Sequence, residues 1–207
     1  AGSLSNLQRG ADVFRDHAAE NPSASSVELH EAFWDWRAQF PGEPYWVHFQ
    51  TTDVHEPHRP DPPFAGMFVI AERRARFYKW WKQVSPYEVN PNQTRAVAGN
   101  PANTLSDLYR QRLAAIGADP TEFFDTQRGL YDETMAHQDH QLGRLVERLK
   151  DTGEWEHTLL VVASDHGHPA GSFSRFGREL FDPPPPTFEG ALLDSYRSRI
   201  PMIFLWP

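Results

Sequence analysis

The chain has 207 residues, a length that suits one sizeable domain. Its formal net charge of −8 argues against a nucleic-acid-binding surface, because such a surface needs a basic patch. We therefore expect no nucleic-acid partner. No apolar run approaches the length of a membrane-spanning helix, so we also expect no membrane span. The sequence contains no cysteine, which excludes disulfides within it.

Apolar periodicity and turn residues predict helices and strands that alternate along the chain. The predicted elements are a helix over 4–19, a helix capped by Ser25 or Ser26, a strand over 45–50, a helix over 104–116, a helix over 131–150, a strand over 158–163 and a strand over 202–206. This alternation favours an α/β fold with a mainly parallel sheet. The sequence has no internal repeat and no Gly/Ser-rich linker, so we assign residues 1–207 to a single domain.

A basic run lies between the first predicted strand and the next helix. Its cations alternate with aromatic residues, and they are Arg73, Arg74, Arg76, Lys79 and Lys82. The interpretation that we favour is the solvated face of an amphipathic or loop segment. The alternative is a cationic rim that attracts an anionic ester.

The strand predicted over 158–163 ends in a group of polar residues that could bind a ligand or a metal. A β-branched apolar run stops at Ser164 and is followed by Asp165, His166 and Gly167. Ligands bind at the carboxyl ends of strands in open parallel sheets. A carboxylate beside an imidazole there could bind a divalent metal. The alternative is an ordinary Asp-His-Gly turn, since Asp and Gly are common turn residues.

Three segments in order resemble the sulfatases of the alkaline phosphatase superfamily. The first runs from Tyr131 to Gly167 and matches the family's pattern of a Tyr-Asp helix with Leu-Gly-Arg-Leu, followed by a strand that ends in Ser-Asp-His-Gly. The second, residues 45–58, is similar to the strand that ends in a His-x-Pro. The third, residues 199–207, is similar to the family's Arg-Ile-Pro strand that ends in Trp-Pro. The resemblance implies an α/β/α sandwich of the alkaline phosphatase type, of which this chain holds an incomplete part.

The resemblance implies a metal site at Asp165 and His166, which match the family's second pair of metal ligands. Calcium is the usual metal of the family and prefers oxygen ligands. His166 as a direct nitrogen ligand would shift the preference toward manganese or zinc. The alternative for His166 is a hydrogen bond that orients Asp165.

The resemblance also implies a substrate-binding and catalytic role for His55, which aligns with the histidine that hydrogen-bonds the sulfate group. A metal cluster of Asp53, His55 and His58 is a competing interpretation. Pro57 excludes a helix here, and therefore excludes two ligands on one helix face. We expect His58 at the pocket rim or in solvent, and Asp53 as a turn former.

The family places a lysine about a dozen residues past the metal-binding pair. Here Phe176-Gly177-Arg178 lies at that distance, so Arg178 is expected to take the lysine's catalytic and substrate-binding role. Arginine keeps the positive charge but presents a planar fork in place of a compact ammonium. Arg175 is a basic neighbour that could bind the substrate instead. The competing interpretation for both is a surface salt bridge of small energetic value.

The sequence also departs from the family. The family's nucleophile is a formylglycine made from the first residue of a Cys/Ser-x-Pro-x-Arg motif, and this sequence contains neither a cysteine nor a Ser-x-Pro-x-Arg. The early Asp-Asp pair that supplies the first metal ligands has no counterpart either. We therefore interpret the chain as an internal fragment of a catalytic domain, and expect it to be inactive alone.

The reaction implied by the resemblance is hydrolysis of a small-molecule or glycan sulfate ester. A hydrated formylglycine attacks sulfur, a cation and basic side chains neutralise the sulfate oxygens, and a histidine protonates the leaving oxygen. The alternatives are a phosphonate monoester or phosphodiester hydrolase of the same superfamily, and a non-catalytic fragment or degenerate homologue.

Overall fold

A computed structural model describes residues 11–14, 25–85, 105–165 and 200–207, without the side chains of 105–108. Within these ranges the elements are α1 (Ser26–Arg37), α2 (Ala71–Val84), α3 (Leu105–Ala115), α4 (Pro120–Asp151), a 3₁₀ turn (Trp155–His157), β1 (Leu160–Ala163) and β2 (Met202–Leu205). Residues 11–14 are exposed and not helical, so the helix predicted over 4–19 is wrong there. None of the helices in the described ranges is long and apolar enough to cross a membrane.

The start of α1 follows the predicted capping chemistry. The Ser25 hydroxyl accepts a hydrogen bond from the backbone N–H of Glu28 at 3.3 Å, which satisfies a donor that the first helical turn leaves free. Of the two serines predicted to cap this helix, Ser25 is therefore the cap. Glu28 in the first turn and Arg37 in the last turn complement the helix dipole.

The longest helix, α4, begins at Pro120 and not at Tyr131 as predicted. Asp119 caps it by accepting a hydrogen bond from the backbone N–H of Thr121 at 2.8 Å, and Pro120 supplies a favourable φ at the first helical position. Gly129 is an interior residue of this helix. A residue without a side chain is needed there because the loop before α2 passes close to the helix. A Cβ atom at this position would lie 2.5 Å from a methyl carbon of Val69.

An aromatic core joins α2, α3 and α4. Phe123 is fully buried, and its ring lies 4.9 Å from the ring of Phe77 and 5.7 Å from that of Tyr109, measured between centroids. The buried members of this core are Val69, Phe77, Trp81, Val84, Tyr109, Leu113, Ala118, Phe123, Phe124 and Leu130. Burial of so many large side chains makes this helical layer the main source of hydrophobic stabilisation in the described residues.

A second cluster packs α1 against the carboxyl-terminal half of α4 and against residues 45–49. Phe33, Trp34, Leu145 and Leu149 are its buried members. Every second side chain of residues 45–50 is exposed, as in a strand with one buried face, yet these residues form no strand. The strand prediction is wrong because a strand needs a ladder partner, and none of the described residues pairs with this segment. The segment instead packs its inward side chains on the helices.

The described sheet consists of β1 and β2, which pair antiparallel with Leu160 opposite Leu205 and Ala163 opposite Met202. Both predicted strands are thus confirmed within a residue or two at their ends, but their pairing is antiparallel. The mainly parallel sheet and the three-layered sandwich remain predictions. The strands expose apolar side chains to solvent, including Val161, Ile203 and Phe204.

Candidate active site

The end of the extended segment meets the carboxyl end of β1. Asp165 lies two residues past β1 and is exposed, and the side-chain amide of Gln50 donates a hydrogen bond to its Oδ2 at 3.1 Å. These residues are 115 positions apart in the sequence. The structure therefore places the loop that contains the His-x-Pro next to the Asp-His-Gly strand end. Gln50 had no place in the sequence analysis, although a polar side chain at the end of an apolar alternation is a usable signal.

His55 is exposed within a turn that begins directly after this contact. Its backbone N–H donates to the carbonyl of Thr52 at 3.0 Å, and its ring Nδ1 lies 2.8 Å from the carbonyl oxygen of Glu56. A carbonyl only accepts hydrogen bonds, so Nδ1 is protonated in this contact. Nε2 of the neutral ring is then an acceptor. His55 can donate from Nε2 to an anionic oxygen only as an imidazolium.

A buried polar network fixes the start of this turn. The Asp53 carboxylate accepts hydrogen bonds from the backbone N–H of Ser26 at 2.9 Å and from the Ser26 hydroxyl at 3.0 Å. Nδ1 of His137 on α4 lies 3.8 Å from the same carboxylate. Asp53 lies in a turn, as predicted, but its side chain is also tied to α1 and α4. The burial of this carboxylate was not predicted from the sequence.

Glu56 is a partly buried acid beside His55. Burial raises its pKa to about 6, while the charge of His55 and a hydrogen bond from the side-chain amide of Gln127 oppose that rise. The Gln127 amide lies 3.0 Å from the carboxylate and comes from α4. Glu56 therefore changes charge close to neutral pH, next to the residue predicted to bind the substrate.

His58 is not at the pocket rim or in solvent, so that prediction is wrong. Its side chain is fully buried, with Nδ1 at 3.1 Å from the carbonyl oxygen of Val54 and its ring edge-on to Tyr131. Its carbonyl accepts a hydrogen bond from the Tyr78 hydroxyl at 2.7 Å. Its φ of 46° lies in the left-handed region, which few non-glycine residues adopt. Neither its burial nor this backbone conformation follows from local sequence.

A single carboxylate holds the next part of the loop. Oε1 of Glu133, a fully buried side chain of α4, accepts hydrogen bonds from the backbone N–H groups of Gly66, Phe68 and Val69 at 3.1, 2.8 and 2.8 Å. Three donors on one charged oxygen form a strong attachment. The loop from Gln50 to Ile70 is thus fastened to the helical layer both near its beginning and near its end.

Three of the predicted site residues, His166, Arg175 and Arg178, lie outside the described residues, and their roles remain predictions. In the described ranges, no three His, Asp or Glu side chains are grouped so as to hold a metal. Asp165 does contribute a carboxylate with an amide side chain beside it. Oxygen donors of this type suit calcium, and further ligands would be needed to complete its coordination.

A family model described as Sulfatase matches residues 7–207, which is nearly the whole chain. No curated protein and no solved structure gives a significant match.

Proposed function

Because the chain belongs to the sulfatase family, a family with an alkaline-phosphatase-like α/β fold, we propose that it forms the second half of an active site for metal-dependent hydrolysis of sulfate esters. Its helices and strands would form one face and part of the sheet of an α/β/α sandwich. The substrate is a small-molecule or glycan sulfate ester.

One contact carries this proposal, the hydrogen bond between Gln50 and Asp165. The two sequence segments that resemble the family's substrate-binding loop and metal-binding strand end are far apart in sequence, and they meet at this bond. A protein that had lost the site would have no need to bring the end of the extended segment and the end of β1 together through polar side chains. The bond therefore favours an active-site arrangement over a degenerate fold.

We assign the metal to Asp165 and His166, with calcium as the ion and manganese or zinc as alternatives if His166 binds directly. When bound, the ion would neutralise charge on the sulfate oxygens. The exposed carboxylate of Asp165 fits this role, because Gln50 occupies one of its oxygens and holds its orientation.

We assign substrate binding and proton transfer to His55. Its exposure gives an ester access to the ring, and its Nδ1 contact with the Glu56 carbonyl fixes the ring orientation. As an imidazolium it would hydrogen-bond the sulfate from Nε2. Arg178, or Arg175 in its place, would bind a further sulfate oxygen with its planar fork.

The nucleophile would come from outside these 207 residues, which contain neither a cysteine nor a Ser-x-Pro-x-Arg. The proposal takes it to be a formylglycine, as the family resemblance implies. The chain alone should then hydrolyse neither an aryl sulfate nor a phosphodiester above background. Turnover by the chain alone that Asp165→Ala abolishes would contradict this assignment of the nucleophile.

The decisive experiment measures metal content and turnover together in the complete enzyme, with an aryl sulfate and a phosphodiester offered side by side. Asp165→Ala should remove metal and activity to a greater extent than His166→Asn, because a carboxylate supplies charge as well as a ligand. Full occupancy and full rate in Asp165→Ala would refute the metal site. A faster reaction with the phosphodiester would reassign the enzyme to the phosphodiester and phosphonate hydrolases.

A matched pair of variants tests the basic residue. Arg178→Ala should lower turnover by orders of magnitude while the free energy of unfolding stays nearly unchanged, and Arg178→Lys should recover part of the rate. Arg175→Ala is the control. Loss of activity in Arg175→Ala alone would transfer the role to Arg175.

A further inference from the structure

An open pocket of about 390 Å³ lies between α2 and the proline-rich loop that follows His58. Among the described residues, half of its lining side chains are cations and none is an acid. These lining residues are Arg59, Pro60, Ala65, Arg74, Tyr78 and Lys82. In a chain with a net charge of −8, a described lining of cations and neutral residues is a local exception.

Helical spacing explains why these cations converge. Arg74, Tyr78 and Lys82 follow one another at intervals of four residues and therefore share one face of α2. The loop adds Arg59 from the other side of the pocket, with its guanidinium 5.9 Å from the centroid of the Tyr78 ring.

The other basic residues of α2 have a different environment. Arg73 and Arg76 lie 4.0 and 2.5 Å from the carboxylate of Glu122 on α4, so their charges are compensated. Among the described residues, no ion pair includes Arg59, Arg74 or Lys82. The charges of these three pocket cations are therefore not compensated by an ion pair in this part of the chain.

Tyr78 connects the pocket to the candidate active site. Its hydroxyl donates to the carbonyl of His58, three residues after His55. Burial raises the pKa of this phenol, the charges of Arg59 and Arg74 oppose the rise, and the carboxylate of Glu133 adds to it. Arg59 follows His55 by four positions, so their Cα atoms lie at most about 14 Å apart. A disaccharide bound at His55 would need to span a distance of this order to place a second anionic group in the pocket.

We propose that Arg59, Arg74 and Lys82 bind a sulfate or carboxylate group of the substrate other than the ester that is hydrolysed. The enzyme would then prefer esters that carry at least two anionic groups, such as an oligosaccharide with several sulfates. The identification of the ligand as substrate rests on the proposed function, whereas the anion site rests on the pocket alone. A second anchoring group also orients the reacting ester, and remote binding energy of this kind favours reaction.

The anion site can be tested without any activity. Calorimetric titration of the 207-residue chain at low ionic strength would use inorganic sulfate, acetate and a disulfated disaccharide as separate probes. We expect saturable binding of sulfate or acetate, and tighter binding of the disaccharide. Lys82→Gln should weaken the binding of these probes about tenfold, which corresponds to the loss of one charge-assisted hydrogen bond.

Lys79→Gln is the matched control, because Lys79 is an exposed lysine of the same helix that does not line the pocket. Its affinity for each probe should stay within about twofold of wild type. Equal weakening by Lys79→Gln and Lys82→Gln would show diffuse charge attraction and overturn the proposal, as would a lack of saturable binding. Arg74→Gln should match Lys82→Gln. Circular dichroism checks that each variant is folded. If Arg74→Gln does not fold, the result for Lys82→Gln decides the test, because Lys82 is exposed.

The substrate assignment needs the complete enzyme and two esters, a monosulfated and a disulfated disaccharide. Lys82→Gln should raise KM for the disulfated ester about tenfold more than KM for the monosulfated one, with Lys79→Gln unchanged for both. An equal rise for both esters overturns the substrate assignment. Failure to hydrolyse either ester would refute the proposed function, and the binding titration would still test the pocket separately.

Discussion

The helical layer and the strand pair differ in how well they are covered. The core of α2, α3 and α4 encloses Phe77, Phe123 and Leu113 with no exposure at all. In contrast, Phe204 of β2 is 61% exposed and Trp206, just beyond it, is 78% exposed. Within the described residues, the helices therefore complete a hydrophobic core and the strands do not.

The difference indicates where stability and function reside. A pair of strands with apolar side chains in water contributes little burial energy, and two strands alone are marginal in stability. The loop that contains His55 is fastened to the helices through Asp53 and Glu133, whereas Asp165 extends from the poorly covered strand β1. The candidate active site thus joins a firmly held half to a weakly held half.

The largest expected contrast is between Phe123→Ala and Phe204→Ala. The first should lower the free energy of unfolding by about 4 kcal/mol, because it removes a fully buried ring from the aromatic core. The second should change it by no more than about 0.5 kcal/mol. Chemical denaturation followed by tryptophan fluorescence measures both. A similar loss in the two variants would show that Phe204 is covered in solution and would remove the contrast.

Glu133→Ala tests whether the loop before α2 belongs to the helical layer. The change leaves three backbone N–H groups without their acceptor and should cost about 3 kcal/mol in the free energy of unfolding. Glu133→Gln keeps one acceptor oxygen in place and should cost less than half as much. Equal losses in the two variants would mean that the charge, and not the acceptor, holds the loop.

Glu56→Gln tests how the loop is held against α4 nearer to His55. The test uses the pH dependence of the free energy of unfolding. The folded-state pKa of Glu56 is raised from 4.5 to about 6, so this group favours folding below pH 4.5. That contribution is lost as the pH rises through 6. Relative to wild type, Glu56→Gln should therefore gain about 2 kcal/mol between pH 4 and pH 7. The measurement is urea denaturation at both values of pH. A constant difference would show that Glu56 is solvated.

The smallest effect compares two glycines of α4. Gly129→Ala places a Cβ atom 2.5 Å from Val69 and should cost about 1 kcal/mol even after the gain in helix propensity. Gly143→Ala meets nothing within 4 Å and should stabilise the protein by up to about 1 kcal/mol. Thermal melting distinguishes the signs. In a Val69→Ala background the cost of Gly129→Ala should disappear, because the clashing methyl carbon is gone. Destabilisation by Gly143→Ala would reveal a neighbour that packs against this face.

Local sequence signals predicted the elements that have a capping residue or a β-branched run of their own. Ser25 was predicted as a cap, and the strand before Asp165 followed from a β-branched run. The sequence did not reveal that α4 begins at Pro120, because Gly129 is a typical helix breaker. Glycine at this position allows the close approach of Val69, and this contact does not follow from any local sequence pattern. Helix α2 begins at Ala71, and its N-cap residue Ile70 has no side-chain group that could cap it, so the sequence left helix and loop open there.

The candidate site was predictable in its parts more than in its arrangement. Asp165 was chosen from its place at a predicted strand end and from the family resemblance, His55 was chosen from the resemblance, and both are exposed as a site requires. The contact of Asp165 with Gln50, and the burial of Asp53 and His58, depend on partners far away in the sequence. Residue type and spacing contain no information about such partners. The distance between the two halves of the site therefore required the structure.

The separation of Gln50 from Asp165 also has a consequence for biosynthesis. Helical hydrogen bonds close within four residues, whereas this bond joins positions 115 residues apart. At ordinary rates of translation, Asp165 follows Gln50 out of the ribosome after on the order of ten seconds. The His55 loop must therefore wait for the synthesis of more than a hundred further residues before β1 exists. The hydrogen bonds within each helix can form from residues that are already made, whereas the candidate site can close only after β1 has emerged.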